Sequence, residues 1–104
     1  MGFDCSGFVQ TVFRLNGIEL LRDASDQFSS GKFIGKNLRG VRPGDLLFFS
    51  SNGDKISHVA IYIGRNREFI HSSGFVKINS FDPHRKNFSK KLFTEFVGAC
   101  RVIS

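Results

Sequence analysis

The sequence predicts an α+β domain in which an N-terminal amphipathic helix packs on an antiparallel sheet. Three observations carry this. From Asp4 to Asn16 the apolar residues fall at Cys5, Phe8, Val9, Val12 and Phe13, the spacing of one helical face. After the turn signal Arg42-Pro43-Gly44-Asp45 the chain changes to short apolar runs of strand length. The helical pattern comes first and the strand patterns follow it.

Taken in order, the first helix is punctuated at both ends, with Asp4 suited to the N-cap and Gly17 to the C′ position. Ala24 to Phe28 fits one short helical turn capped by Asp23. Ser29 to Arg42 is glycine-rich and basic and reads as loop. Leu46 to Phe49 is a strand. His58 to Ile63 is apolar on both faces, as a central strand covered on two sides would be. Glu68–Ser72, Phe75–Ser80 and Phe96–Ile103 supply three more strands.

With 104 residues the chain forms one domain. A chain of this size exposes roughly 17,000 Å² unfolded and about 6,000 Å² folded, so a core forms without disulfide staples. A hydrophobic fraction of 40% with 23% charged residues argues against intrinsic disorder. No apolar run approaches the roughly 18 residues of a membrane span, and Met1 to Cys5 has neither the basic nor the apolar region of a signal peptide. The net charge of +6 favours anionic partners. The basic residues are scattered, however. The one dense cluster, Arg85-Lys86 with Lys90-Lys91, has no aromatic-glycine motif beside it and reads as a solvated face rather than a nucleic-acid site.

Cys5 is the most informative residue. At the first turn of a helix the positive end of the backbone dipole stabilises a thiolate, and the same backbone N–H groups can receive an oxyanion. A small buried hydrophobe is the alternative reading. Cys100 lies inside an apolar strand and takes that second reading. A thiolate nucleophile needs a base that later protonates the leaving amine, for which histidine is suited. His58 opens the central strand and His71 lies in the next. A two-residue Gly64-Arg65 turn sets His58 directly opposite His71 and Ala60 opposite Phe69, with small Ala60 letting a helix approach; a four-residue loop sets Ser73 opposite His58 instead. No carboxylate or second cysteine completes a metal-ligand set around the two histidines, and no cofactor is expected. His84 reads as exposed.

A cysteine at a helix start facing a histidine on a strand, with a second group to orient it, follows papain-like logic. Asp4-Cys5-Ser6-Gly7-Phe8-Val9, Arg42-Pro43-Gly44-Asp45-Leu46-Leu47-Phe48-Phe49, His58-Val59-Ala60-Ile61-Tyr62-Ile63-Gly64 and Phe69-Ile70-His71-Ser72 resemble, in order and spacing, the NlpC/P60 cysteine peptidases. The resemblance implies a papain-like fold, peptidoglycan hydrolysis, Cys5 as nucleophile, His58 as general base and then acid, and His71 as the group orienting His58. Asn16 to Ser25 is similar to the subgroup cleaving γ-D-glutamyl bonds to a diamino acid in stem peptides. There the Asp of the Arg-Asp element, here Asp23, holds the free amine of L-Ala; a helix cap is the competing role. Ser6 and Asp4 are similar to residues lining the same pocket, whereas Asp45 reads as a turn residue.

The family's Tyr-containing segment upstream of the cysteine and the subgroup's SH3-like domains are absent from 1–104. The resemblance therefore implies one N-terminally truncated catalytic domain, and Ala24 stands where relatives often carry Ser. The implied partner is the peptidoglycan stem peptide, met by a monomer in the cell envelope, periplasmic or secreted; with no signal peptide in the chain, cytoplasmic recycling stays open. The rival readings are an amidase cutting between muramic acid and L-alanine, and a non-catalytic cell-wall-binding remnant.

Overall fold

A computed structural model describes residues 5–102, so the proposed cap and pocket residue Asp4 lies outside the described residues. Helix α1 spans Cys5–Leu15 and buries Phe8, Val9 and Phe13, the face that the sequence spacing marked. It ends on Gly17, whose φ of +79° carries the left-handed turn. The Gly17 N–H donates to the Arg14 carbonyl and the Ile18 N–H to the Phe13 carbonyl, at 3.0 and 2.9 Å, which closes a Schellman motif.

Then follow α2 (Ala24–Ser30), β1 (Lys32–Gly35), β2 (Leu46–Phe49), β3 (His58–Tyr62), β4 (Glu68–Ser72), β5 (Val76–Ser80), α3 (Lys90–Glu95) and β6 (Phe96–Arg101). The strands form a single antiparallel sheet in the order β1-β6-β2-β3-β4-β5. β2 and β3 therefore lie inside the sheet, and apolar cores cover both faces. On one face α1 and α2 pack Phe8, Val9, Phe13 and Ala24 against Leu46, Phe48, Val59 and Ile61. On the other, Leu47, Phe49, Ala60, Tyr62 and Phe69 pack against Phe81 and Leu92. The α+β reading and the central strand hold.

Four details differ from the sequence expectation. First, β1 lies inside the segment read as loop; Lys32 to Gly35 is a short edge strand that pairs with β6 across a bulge, so its sequence shows no alternation. Second, α3 was not expected. Ser89 caps it, accepting a hydrogen bond from the Leu92 N–H at 3.2 Å. Third, Asp23 has the extended backbone of an N-cap, but its side chain makes no capping bond.

Fourth, the β3–β4 hairpin takes the wider of the two registers, with Tyr62 opposite Phe69 and Ile61 opposite Ile70. Continued along the strands, Ala60 stands opposite His71. Ala60 also faces the second core, so α1 packs over Val59 and Ile61 instead. The reason is tertiary. The Ser80 Oγ donates to the Asn66 carbonyl at 2.7 Å and the Phe81 N–H to the Arg67 carbonyl at 3.0 Å. These two bonds hold open a loop in which Asn66 and Arg67 are both left-handed.

Asp45 takes the structural role expected of it. It accepts from the Arg42 N–H at 2.7 Å and binds Arg101 through both carboxylate oxygens, at 2.9 and 2.7 Å. Gly64, with φ +93°, closes against this same turn; a Cβ there would lie 2.8 Å from the Pro43 ring. Gly64→Ala should therefore lose about 1–3 kcal/mol through strain and crowding, a fall in Tm of roughly 5 to 20 °C in a thermal melt.

Candidate active site

The two faces of the sheet explain how distant residues reach one place. His58 is the first residue of β3, and its side chain lies on the Ala60 and Tyr62 face, away from α1. Cys5 is the first residue of α1, on the other side. They can meet only around the end of the strand, and Cys5 lies at that end: its Sγ is 4.0 Å from the carbonyl oxygen of Ser57. The Ser57 N–H in turn donates to the Phe49 carbonyl at 2.8 Å, which ties the entry to β3 onto β2.

The histidines form a directed chain. His58 Nε2 lies 2.8 Å from His71 Nδ1, with the rings nearly perpendicular at 87°. The wider hairpin makes them diagonal rather than directly opposed neighbours on one face, still within reach of long side chains. Phe49 packs 5.6 Å from the His58 ring and Phe69 5.4 Å from the His71 ring. His71 is buried, only 1% exposed. Its Nε2 lies 2.7 Å from Asn79 Oδ1, and Asn79 Nδ2 donates to the Asn87 carbonyl at 2.9 Å. Sequence reasoning missed Asn79. Its place emerges only once β5 is paired with β4, which sets Lys77 opposite His71 and Asn79 two residues further along the same face.

Burial sets the electrostatics. It is the largest cause holding His58 down at about 4, helped by His71, Lys91 and Lys77. Burial also lowers His71, against the opposing effect of its bond to Asn79. Both rings are thus neutral at pH 7, ready to accept a proton. Cys100 is different: burial and then Asp45 push its thiol up to about 11. Its Sγ contacts the Phe28 carbonyl at 3.6 Å inside the core. His84 is exposed, as are Arg85, Lys86, Lys90 and Lys91.

The segment carrying Asp23 is fastened beside the start of α1. Arg22 Nη1 donates to Ser6 Oγ at 3.0 Å, and the buried Gln27 donates through Nε2 to the carbonyls of Ser6 and Leu21, at 3.2 and 2.8 Å. Ser6 is thus buried as the anchor for Arg22, and Asp23 is exposed next to it. Among the described residues no cluster of three His, Cys, Asp or Glu side chains could hold a metal ion, and no helix is long and apolar enough to cross a membrane.

A cysteine at a helix start, wrapped around the end of a sheet that bears a histidine pair, defines a papain-like domain. The chain belongs to the NlpC/P60 family, whose model matches residues 1–97. It is 45% identical over 73 residues to a gamma-D-glutamyl-L-lysine dipeptidyl-peptidase of Bacillus subtilis, covering 68% of this chain and 24% of that protein. It is 42% identical over 89 residues to the murein DD-endopeptidase MepS/murein LD-carboxypeptidase of Escherichia coli, covering 82% of this chain and 45% of that one. The chain thus spans less than half the length of either relative. Among solved structures, an NLP/P60 family protein similar to a lipoprotein from Staphylococcus aureus superposes with a TM-score of 0.80 at 33% identity, over 98% of this chain and 32% of that one. A non-catalytic NlpC/p60 domain protein of Mycobacterium tuberculosis shares the fold at 22% identity, with a TM-score of 0.72 over 99% of this chain and 69% of that one.

The lowered histidines give a pH dependence with a definite sign. Between pH 6.5 and about 4 the unfolded chain holds a proton on His58 that the folded chain does not. The neutral His58 therefore supports folding fully above pH 6.5, and that support is lost as pH falls through this window. A histidine NMR titration should place the His58 midpoint near 4, and Tm should fall over the same range less steeply in His58→Gln than in the parent.

Proposed function

We propose that this domain hydrolyses peptidoglycan stem peptides as a cysteine endopeptidase, cutting the bond between γ-D-glutamate and the diamino acid. The observation that carries this reading is the hydrogen-bonded His58–His71 pair at the end of β3, where Cys5 presents its sulfur beside Ser57. Cys5 attacks the γ-carbonyl and His58 takes its proton. His58 then returns the proton to the leaving amine, and the resulting thioester is released by water activated at the same ring. The positive end of α1 favours both the thiolate and the oxyanion. A peptidoglycan substrate supports a site of action in the cell envelope, and we read the domain as acting there as a monomer.

Asp23 supports the finer assignment. Its carboxylate makes no capping bond, and the Arg22–Ser6 bond holds its segment beside the Cys5 turn. A carboxylate there pairs with the ammonium group of a free N-terminal L-Ala, with Ser6 beside it in the same pocket. The relative named gamma-D-glutamyl-L-lysine dipeptidyl-peptidase supports this bond. An amidase acting next to muramic acid would have no use for such a carboxylate. A non-catalytic wall-binding role would leave the Cys5, His58 and His71 arrangement without a purpose.

Mass-spectrometric digestion of free stem tripeptides and tetrapeptides tests both levels. Cys5→Ser and His58→Ala should abolish hydrolysis, whereas His71→Ala should retain a residual rate, and the losses should not add. Acetylating the L-Ala amine should slow cleavage about 30- to 5,000-fold, the kinetic equivalent of leaving a charge unpaired at roughly 2–5 kcal/mol. Asp23→Ala should erase most of that preference. Full activity in Cys5→Ser refutes Cys5 as the nucleophile; equal cleavage of capped and free peptides refutes the amine subsite and moves the amidase ahead.

A further inference from the structure

We infer that Asn79 is a positioning residue that fixes the proton arrangement of both histidines, so that His58 presents a bare Nδ1 toward the cysteine side. This rests on the catalytic reading above, but the inference starts from an atom whose role is unambiguous. The Asn87 carbonyl can only accept. It receives the Ser80 N–H at 3.0 Å and Asn79 Nδ2 at 2.9 Å. The Asn79 amide is therefore fixed with its NH2 toward Asn87 and its oxygen toward His71; the flipped amide would set two oxygens against each other. Asn79 Oδ1 can in turn only accept, so His71 Nε2, 2.7 Å away, must carry a hydrogen.

A neutral imidazole with its hydrogen on Nε2 has a bare Nδ1. That nitrogen lies 2.8 Å from His58 Nε2, which must then be the donor. His58 thus carries its own hydrogen on Nε2 and leaves Nδ1 free. Each step follows from the one before, from a backbone carbonyl to the base. A second-position histidine can take the place of a simple acceptor only under this condition. When His58 gains the cysteine proton on Nδ1, its Nε2–H bond to His71 needs no rearrangement, so no reorganisation accompanies the transfer.

Asn79 is half-buried on β5, and Asn87 is held by donating to Glu68 Oε2 at 2.9 Å. The charged groups near the histidines are Lys77 on β5 and Lys91 on α3. Both disfavour an imidazolium. A protonated His71 would point an N–H at the N–H of His58 and break the chain.

The test is histidine 15N NMR at pH 7 to 8 on the full chain, with no substrate, alongside kinetics on a free stem tripeptide. In the parent, His58 and His71 should both carry the hydrogen on Nε2. Asn79→Ala should give mixed tautomers at both rings and lower kcat about 10- to 100-fold with little change in KM. The Asn87 carbonyl keeps its Ser80 donor in that variant, so the fold should survive. Asn79→Asp keeps an acceptor toward His71 but sets its second oxygen against the Asn87 carbonyl and favours a charged His71, so it should move the acid limb of kcat/KM to higher pH rather than restore the parent tautomers. A His58 hydrogen on Nδ1 in the parent overturns the inference, as does an Asn79→Ala protein with unchanged tautomers and kcat within about twofold. Neither result depends on Cys5 being the nucleophile, whose failure would show only in Cys5→Ser turnover.

Discussion

A hydrogen bond between two neutral imidazoles forms only if one nitrogen of the pair is bare and the other carries a hydrogen. The His58–His71 bond of 2.8 Å meets that condition where His71 is buried in the sheet, only 1% exposed. Much of the surrounding structure is arranged around it. Phe49 and Phe69 flank the rings and exclude water, and this desolvation holds both rings neutral. The open β3–β4 loop, pinned by Ser80 and Phe81, sets the strand register that makes the two rings diagonal neighbours. A buried polar pair of this kind is costly unless every remaining donor and acceptor is met. Asn79 and the Asn87 carbonyl meet them.

Cys5 belongs to the helix on the other side of the sheet. α1 packs its apolar face on Val59 and Ile61, and its first residue projects past the end of β3 beside Ser57. Burial of Phe8, Val9 and Phe13 thus does two things, anchoring the helix and fixing where its first turn falls. The Schellman turn at Gly17 sends the chain back so that Arg22 and Gln27 can grip Ser6 from the opposite flank. The positions of Cys5, His58 and Asp23 are therefore consequences of packing at three separate places.

Much of this was legible in the sequence, and the reasons are physical. α1 has an uninterrupted helical period and a glycine stop, and β2 and β3 are apolar throughout because both their faces are buried, so each announces itself locally. Cys5, His58 and His71 stand out because few residue types suit nucleophilic chemistry. β1 and α3 were not legible. One is a four-residue bulged edge and the other a six-residue helix, and both are stabilised by what they pack on rather than by their own sequence. The hairpin register was left open between two values because the bonds that decide it come from Ser80 and Phe81, well outside the hairpin. Asn79 was invisible for the same reason: a lone asparagine in a strand means nothing until β5 is paired with β4. The side-chain cap expected of Asp23 is absent although its backbone takes the cap position, a distinction that residue type alone cannot draw.

The central claim is that Cys5, joined to the His58–His71 pair, carries the chemistry. Alkylation with iodoacetamide, followed residue by residue with peptide mass spectrometry while stem-peptide hydrolysis is assayed on the same samples, tests it most directly. Cys100, buried and with its thiol raised to about 11, serves as an internal control. Loss of hydrolysis in one-to-one proportion with modification of Cys5, with Cys100 untouched, is the result this account predicts. Hydrolysis that persists when Cys5 is fully alkylated would contradict it.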